Sequence, residues 1–112
     1  MNISLLIPPP LDSEAFRRNR QNFIPDKAGC YVLTNFSKEV MYVGLATSLR
    51  RRFNQHLDSD HKTAVTALGK AVLFFWTETA AINKVERTWM NIHIQHEGTL
   101  PLLNAVYSPT AS

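Results

Sequence analysis

Two runs rich in β-branched and aromatic residues, GCYVLTN at 29–35 and VMYVGLA at 40–46, are separated only by the polar break FSKE. A break that short joins two antiparallel strands. Directly behind them Leu49, Phe53 and Leu57 recur at every fourth position and line one side of a helix, for which Thr47 or Ser48 supplies the N-cap. A hairpin followed at once by an amphipathic helix restricts the chain to a sheet with helices packed on it.

The remaining segments extend that frame. Asp58 to Asp60 break the helix, Ser59 or Asp60 caps a second one through KTAVTAL, and Gly69 ends it. KAVLFFWTE at 70–78 is apolar throughout, as a strand covered on both faces would be. Thr79 then caps a long helix to about Gln95, with Ile82, Val85, Trp89 and Ile92 on one side, and Gly98 and Pro101 stop it. In front, the prolines of LLIPPPL favour an extended arm, and SEAFRRNRQNF is expected to form a short helix capped by Asp12 or Ser13. The expected fold is α/β (α+β). It is a small, mainly antiparallel three-stranded sheet flanked by helices, in the order β-β-α-α-β-α, with an N-terminal helical arm. The expected divisions are the arm at 1–27, one domain at 28–105 and a tail at 106–112.

Length and composition fit a single ordered core: 112 residues, 45% of them apolar and 19% charged. The apolar runs SLLI and AVLFFW fall far short of the ~20 residues that span a bilayer, and the start lacks the basic region of a signal peptide. A cytoplasmic protein with no membrane crossing is expected. Its single cysteine, Cys30, cannot form an internal disulfide and reads as a small buried apolar group. The net charge of +3 is a modest attraction for acidic partners. Its distribution says more, because Arg17, Arg18 and Arg20 form one cluster and Arg50, Arg51 and Arg52 another.

Several polar residues sit where packing alone does not require them. Arg52 and His56 are four apart on the first helix, beside the apolar stripe, where packing would hold them in fixed rotamers. Arg50, Arg51 and Asn54 are expected to point to solvent. Glu86 lies on the last helix at the edge of its apolar side, so its carboxylate needs either an arginine or a divalent ion with oxygen ligands. Gly29 and Gly44 sit in or beside strands, where glycine permits a bulge or a close approach, at Gly44 by a phosphate. His93 and His96 are three apart without a matching Cys or carboxylate cluster, which is a poor zinc site.

GCY at 29–31 and YVG at 42–44, followed by ATSLRRRFNQH, resemble the GIY-YIG nuclease superfamily. Arg52 and His56 lie eight and twelve positions after Gly44, Glu86 falls on a later helix, and PLLN ends in Asn104, all as in that family. The resemblance covers about residues 28–105. It implies metal-dependent hydrolysis of phosphodiesters in nucleic acid, DNA rather than RNA, with Mg²⁺ or Mn²⁺ held by Glu86. Arg52 would bind the scissile phosphate, Tyr31 or Tyr42 would orient or deprotonate water, and His56 would relay a proton or hold phosphate. Asn104 would act as a brace and Gly29 as support. Arg17, Arg18, Arg20, Arg50, Arg51 and Gly44 would contact the nucleic acid backbone. Leu45 departs from the polar residue that many relatives carry there. That departure leaves room for two rivals: a binding or partner-recruiting module without turnover, and a subunit active only within a larger complex. With no appended DNA-binding domain in view, a partner protein is a candidate source of specificity.

Overall fold

Alternation along one buried strand sets the architecture. The computed structural model describes residues 1–104, so the tail expected at 106–112 lies outside them. Strand β2 (Gly29–Thr34) is buried along its whole length. Its odd residues, Tyr31 and Leu33, join Leu49, Phe53 and Phe74 in one core cluster. Its even residues, Cys30 and Val32, join Val43 and Trp89 in a second. Side chains alternate across a strand, so these clusters occupy opposite faces of one sheet.

The sheet is antiparallel and four-stranded, in the order β1-β4-β2-β3, with β1 at Asp12–Ala15, β3 at Val40–Ala46 and β4 at Leu73–Glu78. Helix α1 (Leu49–Leu57) covers the Tyr31 face through Leu49 and Phe53, and α3 (Ile82–Glu97) covers the Cys30 face through Trp89. The Ser48 hydroxyl caps α1 by accepting from the Arg51 amide, and Gly98 closes α3 in the left-handed region at φ 75°. The expected α+β class and element order hold. The sheet has one strand more than expected.

That extra strand comes from the arm. Asp12–Ala15 pairs with Trp76–Leu73 instead of starting a helix, and Arg18–Phe23 forms two turns of 3₁₀ helix. The free edge of β4 offers unpaired amides and carbonyls, and satisfying them outweighs the weak helical preference of DSEA. The arm also enters the core on the other face, where Ile3 and Leu6 are buried beside Trp89 and Pro8 O accepts from the Trp89 indole at 2.7 Å. Helix α2 is shorter than expected, Asp60–Thr63, and carries the Ser59 N-cap. Gly69, at φ 89°, closes a Thr66–Gly69 turn and does not terminate a helix. Among the described residues no helix is long and apolar enough to cross a membrane.

Candidate active site

Tyr31 and Tyr42 project from neighbouring strands onto the α1 face, and His56 meets them from the last turn of that helix. The Tyr31 hydroxyl lies 2.5 Å from His56 Nε2. The Tyr42 ring stands 5.9 Å from Tyr31 and edge-on to His56 at 5.1 Å. Phe74 stacks on Tyr31 with ring centroids 5.0 Å apart, fixing the phenol from behind. Gly44 sits opposite Tyr31 in the register, and a Cβ there would fall 2.5 Å from the Tyr31 hydroxyl and 2.8 Å from the Tyr42 ring. The space above Gly44 is thus taken by phenols rather than by the phosphate expected there. The pairing at Gly44 is regular, and the irregularity in this hairpin falls at Leu33/Thr34.

Burial governs the protonation of this cluster. Tyr31 is fully buried, which raises its pKa well above that of a free phenol; the nearby Tyr42 adds to the rise and Arg52 opposes it. Burial pushes His56 down to about 3, and the positive charges of Lys62 and Arg52 push in the same direction. The imidazole is therefore neutral, and its Nε2 shares one hydrogen bond with the Tyr31 hydroxyl. Tyr31 and His56 satisfy each other. Tyr42 is the partly exposed member of the cluster.

The cations are distributed differently from the expectation. Arg52 is exposed and makes no side-chain hydrogen bond among the described residues, so packing does not fix its rotamer. Arg50 does not point freely to solvent but is half-buried, its Nε donating to Ile24 O at 2.9 Å. Asn54 also turns inward, with a buried Oδ1 that has no partner among the described residues. Arg51 reaches Thr47 at 3.1 Å on the surface. Of the arm arginines, Arg18 pairs with Asp58 and Arg20 with Glu14, which leaves Arg17 without an acid partner among the described residues. A cation not singled out in the sequence joins the site: Lys62 of α2 places Nζ 4.6 Å above the Tyr42 ring, and burial lowers its pKa. Only the turn between α1 and α2 brings it there, and its neighbours in sequence give no such signal.

Glu86 comes from a different helix. It projects from α3, the helix on the opposite face, and among the described residues no hydrogen bond or ion pair links it to Arg52, His56 or either tyrosine. Its carboxylate is half-buried, which raises its pKa, and Arg87 opposes the rise. Among the described residues no three His, Cys, Asp or Glu side chains gather as a metal cage. A half-buried carboxylate with no bonded cation does fit an ion held by one protein ligand, with water and phosphate completing the shell.

The supporting residues act on the backbone. A Cβ on Gly29 would meet Thr77 O at 2.4 Å, so β2 approaches β4 too closely there for any side chain. The Asn104 amide brackets the outer edge of β3, its Oδ1 accepting from Val43 N at 2.8 Å and its Nδ2 donating to Val43 O at 2.9 Å. Cys30 is buried, with its thiol donating to Ile82 O and its pKa pushed up to about 11 by burial, so it is not a nucleophile. His93 donates from Nδ1 to Thr99 O at 2.7 Å and closes the end of α3.

Sheet, motif tyrosines and helix point to one class of protein, and comparison with known proteins bears this out. The GIY-YIG catalytic domain matches residues 27–97, and the chain belongs to that family. Among its relatives is UvrABC system protein C of Limosilactobacillus reuteri (strain DSM 20016), 34% identical over 61 residues, which are 54% of this chain and 10% of that protein. UvrABC system protein C of Finegoldia magna is 42% identical over 53 residues, 46% of this chain and 9% of that protein. The chain matches about a tenth of the length of these curated relatives. Family membership supports a nuclease function.

Proposed function

We propose that this chain is a metal-dependent endonuclease that hydrolyses phosphodiester bonds in nucleic acid, DNA rather than RNA, by in-line attack of water. The observation that carries this reading is the cluster of Tyr31, Tyr42 and His56, closed around one another with Arg52 near enough to act on two of them. Glu86 would hold one Mg²⁺ or Mn²⁺ ion, which stabilises charge on the leaving oxygen when bound. Arg52, exposed and unbonded, engages the non-bridging oxygens of the scissile phosphate.

Tyr42 orients the attacking water through its hydroxyl, and the water's proton passes to bulk solvent. Tyr31 is too deeply buried for that task, and its raised pKa keeps it protonated, so it serves as the fixed partner that holds neutral His56 in place. His56 in turn presses edge-on against Tyr42 and fixes the angle of that phenol. Arg51 and Arg17 add sequence-independent backbone contacts, and a partner protein supplies selectivity. Leu45, partly buried on the α3 face where many relatives carry a polar side chain, favours a second reading: a nucleic-acid-binding module without turnover.

The test incubates the protein with labelled single-stranded, duplex and branched DNA and with RNA, with and without Mg²⁺ or Mn²⁺. Cleavage is expected only with the metal, reduced about 10²–10³-fold by Arg52→Ala and abolished by Glu86→Gln. Cleavage that survives Glu86→Gln overturns the assignment. Salt-sensitive binding with no cleavage of any substrate establishes the second reading.

A further inference from the structure

Phe36 is the most exposed large apolar side chain among the described residues, at 86%, yet the turn that carries it is firmly held. Asn35 Oδ1 accepts from Glu39 N at 2.9 Å, its Nδ2 donates to Leu68 O at 2.8 Å, and Lys38 N donates to Asn35 O at 3.0 Å. Ile3 N donates to Lys38 O from the arm at 2.9 Å. An apolar ring on a frayed loop would need no explanation. One displayed on a turn pinned from two other segments is preorganised for contact.

Two hollows meet at this ring. One, of about 380 Å³, runs from Phe36 past Phe16, Arg17 and Lys70 to Leu57 and Thr63. The other, of about 210 Å³, also borders Phe36 and shares Lys70. Neither is lined by an acidic residue, and neither Arg17 nor Lys70 has an acid partner among the described residues. Leu57, which packs against the core cluster that holds Tyr31, also lines the larger hollow, so this hollow borders the α1 face.

We infer that this groove binds an unpaired segment of the nucleic acid next to the cut, with a base stacked on Phe36 and its phosphates on Arg17 and Lys70. Aromatic faces accept any base, and cations without acid partners accept the backbone, which together recognise single strands by form and not by sequence. A duplex keeps its bases inside the stack and cannot use the ring. The inference rests on the proposed nuclease reading and refines its substrate: strands with an unpaired stretch adjoining the scissile bond.

The test uses the full chain carrying Glu86→Gln, so that binding is measured without cleavage, and follows the anisotropy of a labelled single-stranded oligonucleotide and of a blunt duplex. Phe36→Ala is expected to weaken single-strand binding about tenfold or more and to leave duplex binding within about twofold. Phe36→Trp is expected to restore binding, with its emission quenched by the bound strand. Arg17→Ala and Lys70→Ala should each lower the salt slope by about 0.7. Unchanged single-strand binding in Phe36→Ala, an equal loss on the duplex, or an unquenched Trp overturns the inference. Loss of self-association without loss of strand binding also overturns it, by assigning Phe36 to a protein contact. Metal-dependent cleavage by the parent chain that Phe36→Ala leaves unaltered removes the groove alone. Phe36-dependent strand binding without cleavage leaves the groove standing and removes the nuclease reading.

Discussion

The two faces of the sheet are built on opposite rules. Behind α3, Cys30, Val32, Val43 and Trp89 form an apolar layer whose polar atoms are satisfied by backbone groups, the Trp89 indole on Pro8 O and the Cys30 thiol on Ile82 O. Behind α1, the core contains a phenol and an imidazole that satisfy each other, ringed by Phe53, Phe74 and Tyr42. Removing water from polar groups is costly, and a paired network is tolerated where each member has its partner. The first face is apolar packing. The second puts polar side chains into the core at some cost to stability, which is the pattern expected where function overrides packing.

Three perturbations separate the faces, in decreasing order of effect. Trp89 is fully buried, so Trp89→Ala should cost about 3–5 kcal/mol, read from the urea midpoint, while cleavage per folded molecule persists. Loss of cleavage in the folded fraction would erase the distinction. The α1 face should instead reveal itself in acid. His56 has a pKa of about 3 when folded against about 6.5 unfolded, so the unfolded chain takes up a proton that the folded one refuses. Its contribution is complete above about pH 6.5, falls as pH drops toward 3, and is of order 4–5 kcal/mol in full. Urea titrations across that window should show stability rising with pH, and His56→Gln should flatten the rise. Gly44→Ala comes last, at about 1–3 kcal/mol, because its Cβ would strike a Tyr31 ring that Phe74 keeps from retreating. Cleavage should fall further than stability does, as the Tyr31–His56 bond is displaced.

The features legible in sequence were the locally encoded ones. Strand β3 runs from Val40 to Ala46 as its residues imply, the Ser48 cap starts α1, and Gly98 ends α3. The arm misleads because SEAFRRNRQNF carries its own helical preference, whereas the pairing of Asp12–Ala15 is decided by β4 some sixty residues away. The second helix is overextended because Thr66 and Gly69 bond each other in a turn that periodicity does not reveal. At the site, helical spacing puts Arg52 and His56 one turn apart on α1 but cannot tell which one is buried. Tertiary contacts decide it: His56 turns under the tyrosines, Arg52 stays in solvent, and Arg50 is drawn to Ile24 O. The pairing of Arg18 and Arg20 with acids, and the approach of Lys62 to Tyr42, are likewise contacts between segments.

The proposed reaction draws on both faces, through Tyr42, the phenol of the Tyr31–His56 cluster that reaches solvent, and through the metal that Glu86 would hold from α3. Its most direct measurement is the single-turnover cleavage rate of labelled DNA by Tyr42→Phe in Mg²⁺, beside oligonucleotide affinity and thermal midpoint. A rate lower by about 10²-fold or more is expected, with affinity and midpoint nearly unchanged. A rate within about twofold of the parent would contradict this role of Tyr42.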